Sequence, residues 1–192
     1  MQRYLHKLLP EVMIETVEID PVMRDIAARF FFFGEDARQI VHVEDGRRFI
    51  ERSTDKYDII FLDAFSATSI PYMLTTQEFL RAVRDRLAEG GVVSANLWDE
   101  ETDYPDIVKT YSTVFPELHV VKCASSGNSI LLAQPRKVAL TLEAWKERAG
   151  AFEKAHPTGL NLPELISRGA SLNADVSPDA TVRLDKDRPK RE

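Results

Sequence analysis

The chain has 192 residues, 44% hydrophobic and 29% charged, the balance of one soluble globular domain with room for a tail. Its 31 acids against 25 bases leave a net charge of −6, placed mainly in residues 1–135, and such an acidic body excludes the basic stripe that a nucleic-acid partner requires. The single Cys123 excludes an internal disulfide framework, His6, His42, His119 and His156 lack metal-ligand spacing, and no apolar run approaches the roughly 20 residues that span a bilayer.

The first 135 residues alternate between two patterns. MIETVEI at Met13–Ile19 predicts a strand. Pro21–Phe32 predicts a helix capped by Asp20, with Pro21 in its first turn. QIVHV at Gln39–Val43 predicts a second strand and Gly46–Arg52 a short helix. YDIIFL at Tyr57–Leu62 is an apolar run of the kind buried in a parallel sheet. Thr75–Leu87 predicts a helix with Phe79, Leu80, Val83 and Leu87 on one face, stopped by Gly90-Gly91. GVVSANL at Gly91–Leu97 is the next strand, Asp103–Phe115 a helix, and Leu118–Cys123 and Ser129–Ala133 two strands. The link Ser125-Ser126-Gly127-Asn128 is too short for a parallel return, so these last two form an antiparallel hairpin. The expected fold is an open, mostly parallel Rossmann-like α/β sheet with helices on both faces and a closing antiparallel hairpin. Beyond this domain of residues 1–135, residues 136–156 read as an accessory helix with Leu142, Trp145, Ala149 and Phe152 on one side. Residues 157–192 read as an extended or disordered tail. Phe30–Phe33 is expected to pack on the sheet, and Cys123 to be a small buried hydrophobe. Trp98, just past a strand end, either packs or lines a pocket.

Ligands in open α/β sheets sit at the carboxyl ends of the strands. Those ends carry Glu18 and Asp20, Glu44 and Asp45, Asp63, and Asn96. An acid closing one strand can accept both ribose hydroxyls of an adenosine, and Glu18 fits. An acid closing the next can accept the adenine amino group; Asp45 fits, and Gly46 permits close approach of the ring. Helix capping or solvation explains either acid alone. Asp63 follows the apolar positions Ile59–Leu62, where a lone carboxylate is costly to bury. It is either a loop cap served by Ser66, Thr68 or Ser69, or a working group.

The segments VEIDP (Val17–Pro21), HVEDGRRFI (His42–Ile50), YDIIFLDAFS (Tyr57–Ser66), LTTQEFL (Leu74–Leu80) and LAEGGVVSANLW (Leu87–Trp98) occur in one order. Together they resemble the spermidine synthase, or polyamine aminopropyltransferase, family, on the class I S-adenosylmethionine-dependent methyltransferase fold. SSGNSILLAQP at Ser125–Pro135 is similar to the family's closing hairpin. The resemblance covers roughly residues 4–135. It implies that Glu18 holds the ribose of the sulfonium nucleotide, that Asp45 and Gly46 hold its adenine, and that Asp63 and Ala64 border it. It further implies that Asp63 is the catalytic carboxylate and that Ser66 stands in the acceptor site. The implied reaction moves an aminopropyl group from decarboxylated S-adenosylmethionine to a small cationic amine. The nucleotide is a co-substrate rather than a tightly bound cofactor, no metal takes part, and neither nucleic acid nor membrane is a partner. The location expected is cytoplasmic, and a homodimer stays open.

Three positions depart from the family pattern. Ser66 stands where the family often has a second aspartate, and Cys123-Ala124-Ser125-Ser126 where it has a tyrosine. Its first strand and glycine-rich loop have no counterpart here, since MQRYLHKLLP looks like the helix that follows that loop. The strands at Val17 and Ile60 are therefore expected to lack a common neighbour. Methyl transfer from S-adenosylmethionine is one alternative; a non-catalytic truncated remnant, or a subunit whose sheet a partner completes, is another. The acidic run Asp99–Asp103 reads as a solvated helix start.

Overall fold

The 12-residue strand Leu87–Trp98 organises the computed structural model, which describes residues 1–66, 69–123 and 126–190. In chain order the strands are β1 (Ile14–Glu18), β2 (Gln39–Val43), β3 (Tyr57–Leu62), β4 (Leu87–Trp98), β5 (Glu117–Lys122), β6 (Asn128–Gln134) and β7 (Ala170–Ser171). The helices are α1 (Gln2–Leu8), α2 (Pro21–Phe30), α3 (Gly46–Arg52), α4 (Gln77–Asp85), α5 (Tyr104–Ser112), α6 (Leu142–Ala155) and α7 (Leu162–Gly169). β3 runs parallel to β4, β4 antiparallel to β6, and β5 antiparallel to both β6 and β7. β1 and β2 form a separate parallel pair. The α/β architecture and the closing hairpin thus follow the sequence pattern.

Period-2 alternation explains the core. Val93, Ala95 and Leu97 of β4 are buried on one face, in register with Ala133, Leu131 and Ser129 of β6. Against that face pack Phe79, Leu80 and Val83 of α4 and Ile107, Val108 and Tyr111 of α5. On the opposite face His119 of β5 meets the Trp145 ring of α6 at 5.6 Å. Five helix starts are marked in the sequence: Asp20, Asp45, Thr76, Thr141 and Asn161 accept backbone N–H groups of the first turns of α2, α3, α4, α6 and α7, whereas α1 and α5 begin without a side-chain cap.

The sheet is split where the sequence anticipates it. β1 and β3 each have one partner strand, and among the described residues no strand lies between them. A side-chain contact crosses the division, the Tyr57 hydroxyl donating to the Glu15 carboxylate at 3.1 Å. This split corrects the reading of YDIIFL as a buried strand. With β4 on one edge only, Ile59 and Phe61 remain 50% and 41% exposed.

Other expectations are corrected too. The helix predicted to reach Leu87 ends at Asp85, and Gly90-Gly91 lie within β4, beside the register shift between Tyr57 and Ile59. The strand reaches that far because Gly91 lies hard against backbone: a Cβ there would stand 3.0 Å from the Tyr57 carbonyl oxygen. Phe30, Phe31 and Phe32 do not pack on the sheet but are 70%, 65% and 79% exposed. Their helix covers only the narrow β1–β2 pair, and its end is held from outside by Arg3, which donates to the Phe31 carbonyl oxygen at 2.9 Å and lies over the Phe32 ring. Cys123 is half-buried.

Within residues 136–156 the helix α6 forms, and it pairs with α7. The tail is not loose: residues 162–171 form α7 and β7, which dock on β5. Gly169 allows that approach, since a Cβ there would meet the Lys122 carbonyl oxygen at 2.6 Å. Residues 181–187 then run across α5, α4 and α3. Thr181 binds Asp106, the Arg183 N–H donates to Thr110 Oγ1 at 3.0 Å, and the Gln77 N–H donates to the Arg183 carbonyl oxygen at 2.9 Å. Sequence polarity concealed this strap because its anchors are ion pairs and backbone hydrogen bonds rather than apolar side chains.

Candidate active site

Asp63 immediately follows β3, and Asn96 lies near the carboxyl end of the neighbouring β4. Leu62 is in register with Ala95, so the residues that follow them are neighbours as well. Asn96 Nδ2 donates to Asp63 Oδ1 at 2.9 Å, and Asn128 Nδ2 donates to Asn96 Oδ1 at 2.8 Å. The chain Asn128–Asn96–Asp63 fixes which way the Asn96 amide faces and holds one carboxylate oxygen of Asp63. A charged acceptor makes such a bond worth about 1.5–3 kcal/mol. Asn96 was legible only as a strand-end residue; its partnership with Asp63 requires knowing that β3 and β4 are adjacent.

Two of the three loop donors expected for Asp63 are bonded to each other. Ser66 and Ser69 bind each other: the Ser66 hydroxyl and N–H both donate to the Ser69 carbonyl oxygen, at 2.9 and 2.8 Å, and the Ser69 N–H donates to Ser66 Oγ at 3.2 Å. Thr68, the third donor considered, and Ala124-Ser125 of the hairpin turn lie outside the described residues. Ala64 and Asn96 border a small, mostly apolar hollow together with Leu62, Ile70, Leu74, Leu97 and the buried Tyr111. Burial pushes the Tyr111 hydroxyl far above its ordinary value, so it stays neutral and cannot act as a base.

In the other sheet Glu18 closes β1 and Asp45 follows β2 by two residues, the Glu44 N–H between donating to the Glu18 carbonyl oxygen at 2.9 Å. The Glu18 carboxylate accepts the Asp20 N–H at 2.9 Å, and Asp45 caps α3 by accepting the Arg48 N–H at 2.9 Å. Capping is therefore a role Asp45 already fills. Beside it a Cβ on Gly46 would meet nothing within 4 Å, so the start of α3 faces open space. None of Glu18, Asp45 and Asp63 lines the hollow that Ala64 borders. Glu18 and Asp45 thus stand at the carboxyl ends of the β1–β2 pair, and Asp63 at the carboxyl end of β3 in the other sheet.

The family pattern of the spermine/spermidine synthase domain matches residues 3–125, well over half of the chain. The chain belongs to that family. Among its relatives, the polyamine aminopropyltransferase of Vibrio vulnificus is 35% identical over 96% of this family member. The eEF1A lysine and N-terminal methyltransferase of Bos taurus is 32% identical over 68% of it. The chain spans 63% of the length of the first relative and 20% of the second. The crystal structure of human methyltransferase-like protein 13 in complex with SAH superimposes on 93% of this synthase-family chain and 81% of its own, with a TM-score of 0.72 and 26% identity. Among the described residues, no cluster of His, Cys, Asp and Glu is arranged to hold a metal ion, and no helix is long and apolar enough to cross a membrane.

Proposed function

We propose that this chain carries the transfer site of an enzyme that moves an aminopropyl group from decarboxylated S-adenosylmethionine to a small cationic amine. The observation that carries this reading is Asp63, held by Asn96 at the carboxyl rim of the sheet. In this reading Glu18 accepts the ribose hydroxyls and Asp45 the adenine amino group, in the open space beside Gly46. Ala64 lines the donor side, and Ser66 borders the acceptor.

The chemistry asks little of the protein beyond placement. An alkylammonium has a pKa near 10.4, so freeing its lone pair at pH 7 costs roughly 4–5 kcal/mol. Asp63 attracts the cation, aims the amine nitrogen in line with the methylene, and takes the departing proton as the C–N bond forms. The C–S bond breaks with its electron pair on sulfur, leaving a neutral thioether nucleoside. The nucleotide brings its own leaving group, enters as a co-substrate and leaves after each turnover.

Methyl transfer from S-adenosylmethionine is the second reading. It is favoured by Ser66, an uncharged residue closed on Ser69, and by the likeness to the human methyltransferase. Calorimetric titration with methylthioadenosine, followed by assays of both sulfonium donors on the same amines, tests both. Saturable heat and an aminopropylated product support the first reading; a methylated product alone supports the second. No heat and no product removes both.

A further inference from the structure

We propose that Phe65 and Trp98 form a subsite for the carbon chain of the acceptor, and that the acceptor is a primary alkylamine recognised by its methylenes without a second charge at its far end. This inference rests on the transfer reading above and names its substrate class.

Trp98 follows Asn96 by two residues on β4, so the two share a face of the sheet. Phe65 follows Asp63 by two residues. The two rings meet edge to face, with centroids 6.4 Å apart and planes at 81°. That is a favourable aromatic geometry, and it fixes both rings as a corner. They remain 39% and 42% exposed, so ring surface stays open to a ligand. Exposed aromatic surface thus follows both Asp63 and Asn96 by two residues, and the proposed subsite joins a few polar groups that orient to aromatic surface that binds.

The far end of the acceptor finds uncharged chemistry at Ser66, whose hydroxyl is engaged by Ser69. Asp99, the carboxylate next to Trp98, accepts the Ser129 hydroxyl at 2.7 Å. Contact with ring faces replaces the counter-ion that a diamine would need. An ammonium close to the rings adds a cation–π attraction, which does not depend on chain length.

The full chain carrying Trp145→Phe retains Trp98 as its single tryptophan. In saturating methylthioadenosine, hexylamine should change Trp98 emission saturably, while ethanolamine and ammonium chloride at equal concentration should not. Phe65→Ala should weaken hexylamine about tenfold, one such ring contact being worth about that factor. In turnover, hexylamine and putrescine should have KM values within about threefold of each other, and Trp98→Ala should raise the hexylamine KM about tenfold. An emission change produced equally by ammonium chloride, or no change with hexylamine, overturns the subsite. So does a preference for putrescine above about tenfold, because it demands a second counter-ion. A saturable emission change without any transferred product keeps the subsite and removes the transfer reading. Product without an emission change does the reverse.

Discussion

Arg47 and Asp185, 138 residues apart in the chain, face each other as a two-pronged ion pair, Nη1 to Oδ1 at 2.8 Å and Nη2 to Oδ2 at 2.6 Å. Arg47 also donates to the Met73 carbonyl oxygen at 3.1 Å and to Thr76 Oγ1 at 3.3 Å. One guanidinium thus ties the first turn of α3, next to Asp45 and Gly46, to the segment that follows the Asp63 loop and to the C-terminal strap. Arg183 lies over the Tyr72 ring at 4.3 Å, and the Tyr72 hydroxyl donates to the Leu184 carbonyl oxygen at 3.1 Å. The strap therefore grips the same segment twice.

Removing one partner of the Arg47–Asp185 pair should cost more than an exposed ion pair would, because the pair is partly buried and bonded at two points, and Glu51 is then the one carboxylate left on Arg47 among the described residues. Arg47→Met and Asp185→Asn should each lower stability by about 1–3 kcal/mol in urea unfolding.

The same pair should give a pH signature. The hydrogen bond from Arg47 holds the Asp185 carboxyl below the usual carboxylate range. Its folded pKa lies under its unfolded one, so its stabilisation is complete above the unfolded value, about 4, and is lost as pH falls through the folded value. Urea midpoints measured from about pH 6 down to about pH 3 should therefore fall more steeply in the wild type than in Asp185→Asn. Parallel curves would mean that other carboxylates govern the acid limb.

Gly46→Ala separates stability from binding. A Cβ at this position meets nothing within 4 Å, and Gly46 opens α3 in an ordinary helical conformation, so the urea midpoint should stay unchanged or rise slightly. If the adenine ring lies against this backbone, methylthioadenosine should bind about tenfold more weakly, as calorimetry would show. Equal affinity for both proteins would move the nucleotide away from α3.

The fold was legible where two signals agreed. Asp20-Pro21, Asp45-Gly46 and Thr76 mark helix starts by hydrogen-bonding chemistry that needs no tertiary partner, and each helix begins where that chemistry predicts. The short link before Asn128 fixed the hairpin by geometry alone. Burial was read less well, because it depends on neighbours. Ile59 and Phe61 look like core residues, but β3 has one partner strand; Phe30–Phe32 look like core residues, but α2 overhangs a two-stranded pair. The strap was missed for the opposite reason. Arg183, Asp185 and Thr181 look like solvent-loving residues, yet each has a charged or hydroxyl partner on α3, α5 or the loop before α5. In the candidate site, Glu18, Asp45 and Asp63 stand at strand ends as their spacing implied. The partner of Asp63 is Asn96 rather than a loop hydroxyl, a cross-strand relation invisible in one dimension.

Asn96→Leu preserves volume and removes the donor to Asp63. With the transfer reading above, which gives the ribose and adenine to Glu18 and Asp45, kcat should fall about 10- to 100-fold while nucleotide affinity stays within about twofold. Asn128→Ala acts one step further along the chain of amides, freeing Asn96 to rotate, and should show a smaller loss in the same direction. Equal loss of nucleotide binding and kcat would mark Asn96 as a structural residue instead.

The free edges of β1 and β3 lead to the last expectation. A strand paired on both sides protects its amides, whereas one paired on a single side leaves alternate N–H groups to water. β4, bonded to β3 and β6, should therefore exchange slowly over Val93–Leu97. Only about half the amides of β1 and β3 should be protected at the same time. Exposed Ile59 and Phe61 lie beside one of these edges and make it adhesive. Protection of β3 that rises with protein concentration would show a second copy closing that edge. Alternating protection independent of concentration would show the edge facing solvent, with the side-chain contact between Tyr57 and Glu15 spanning the gap unaided.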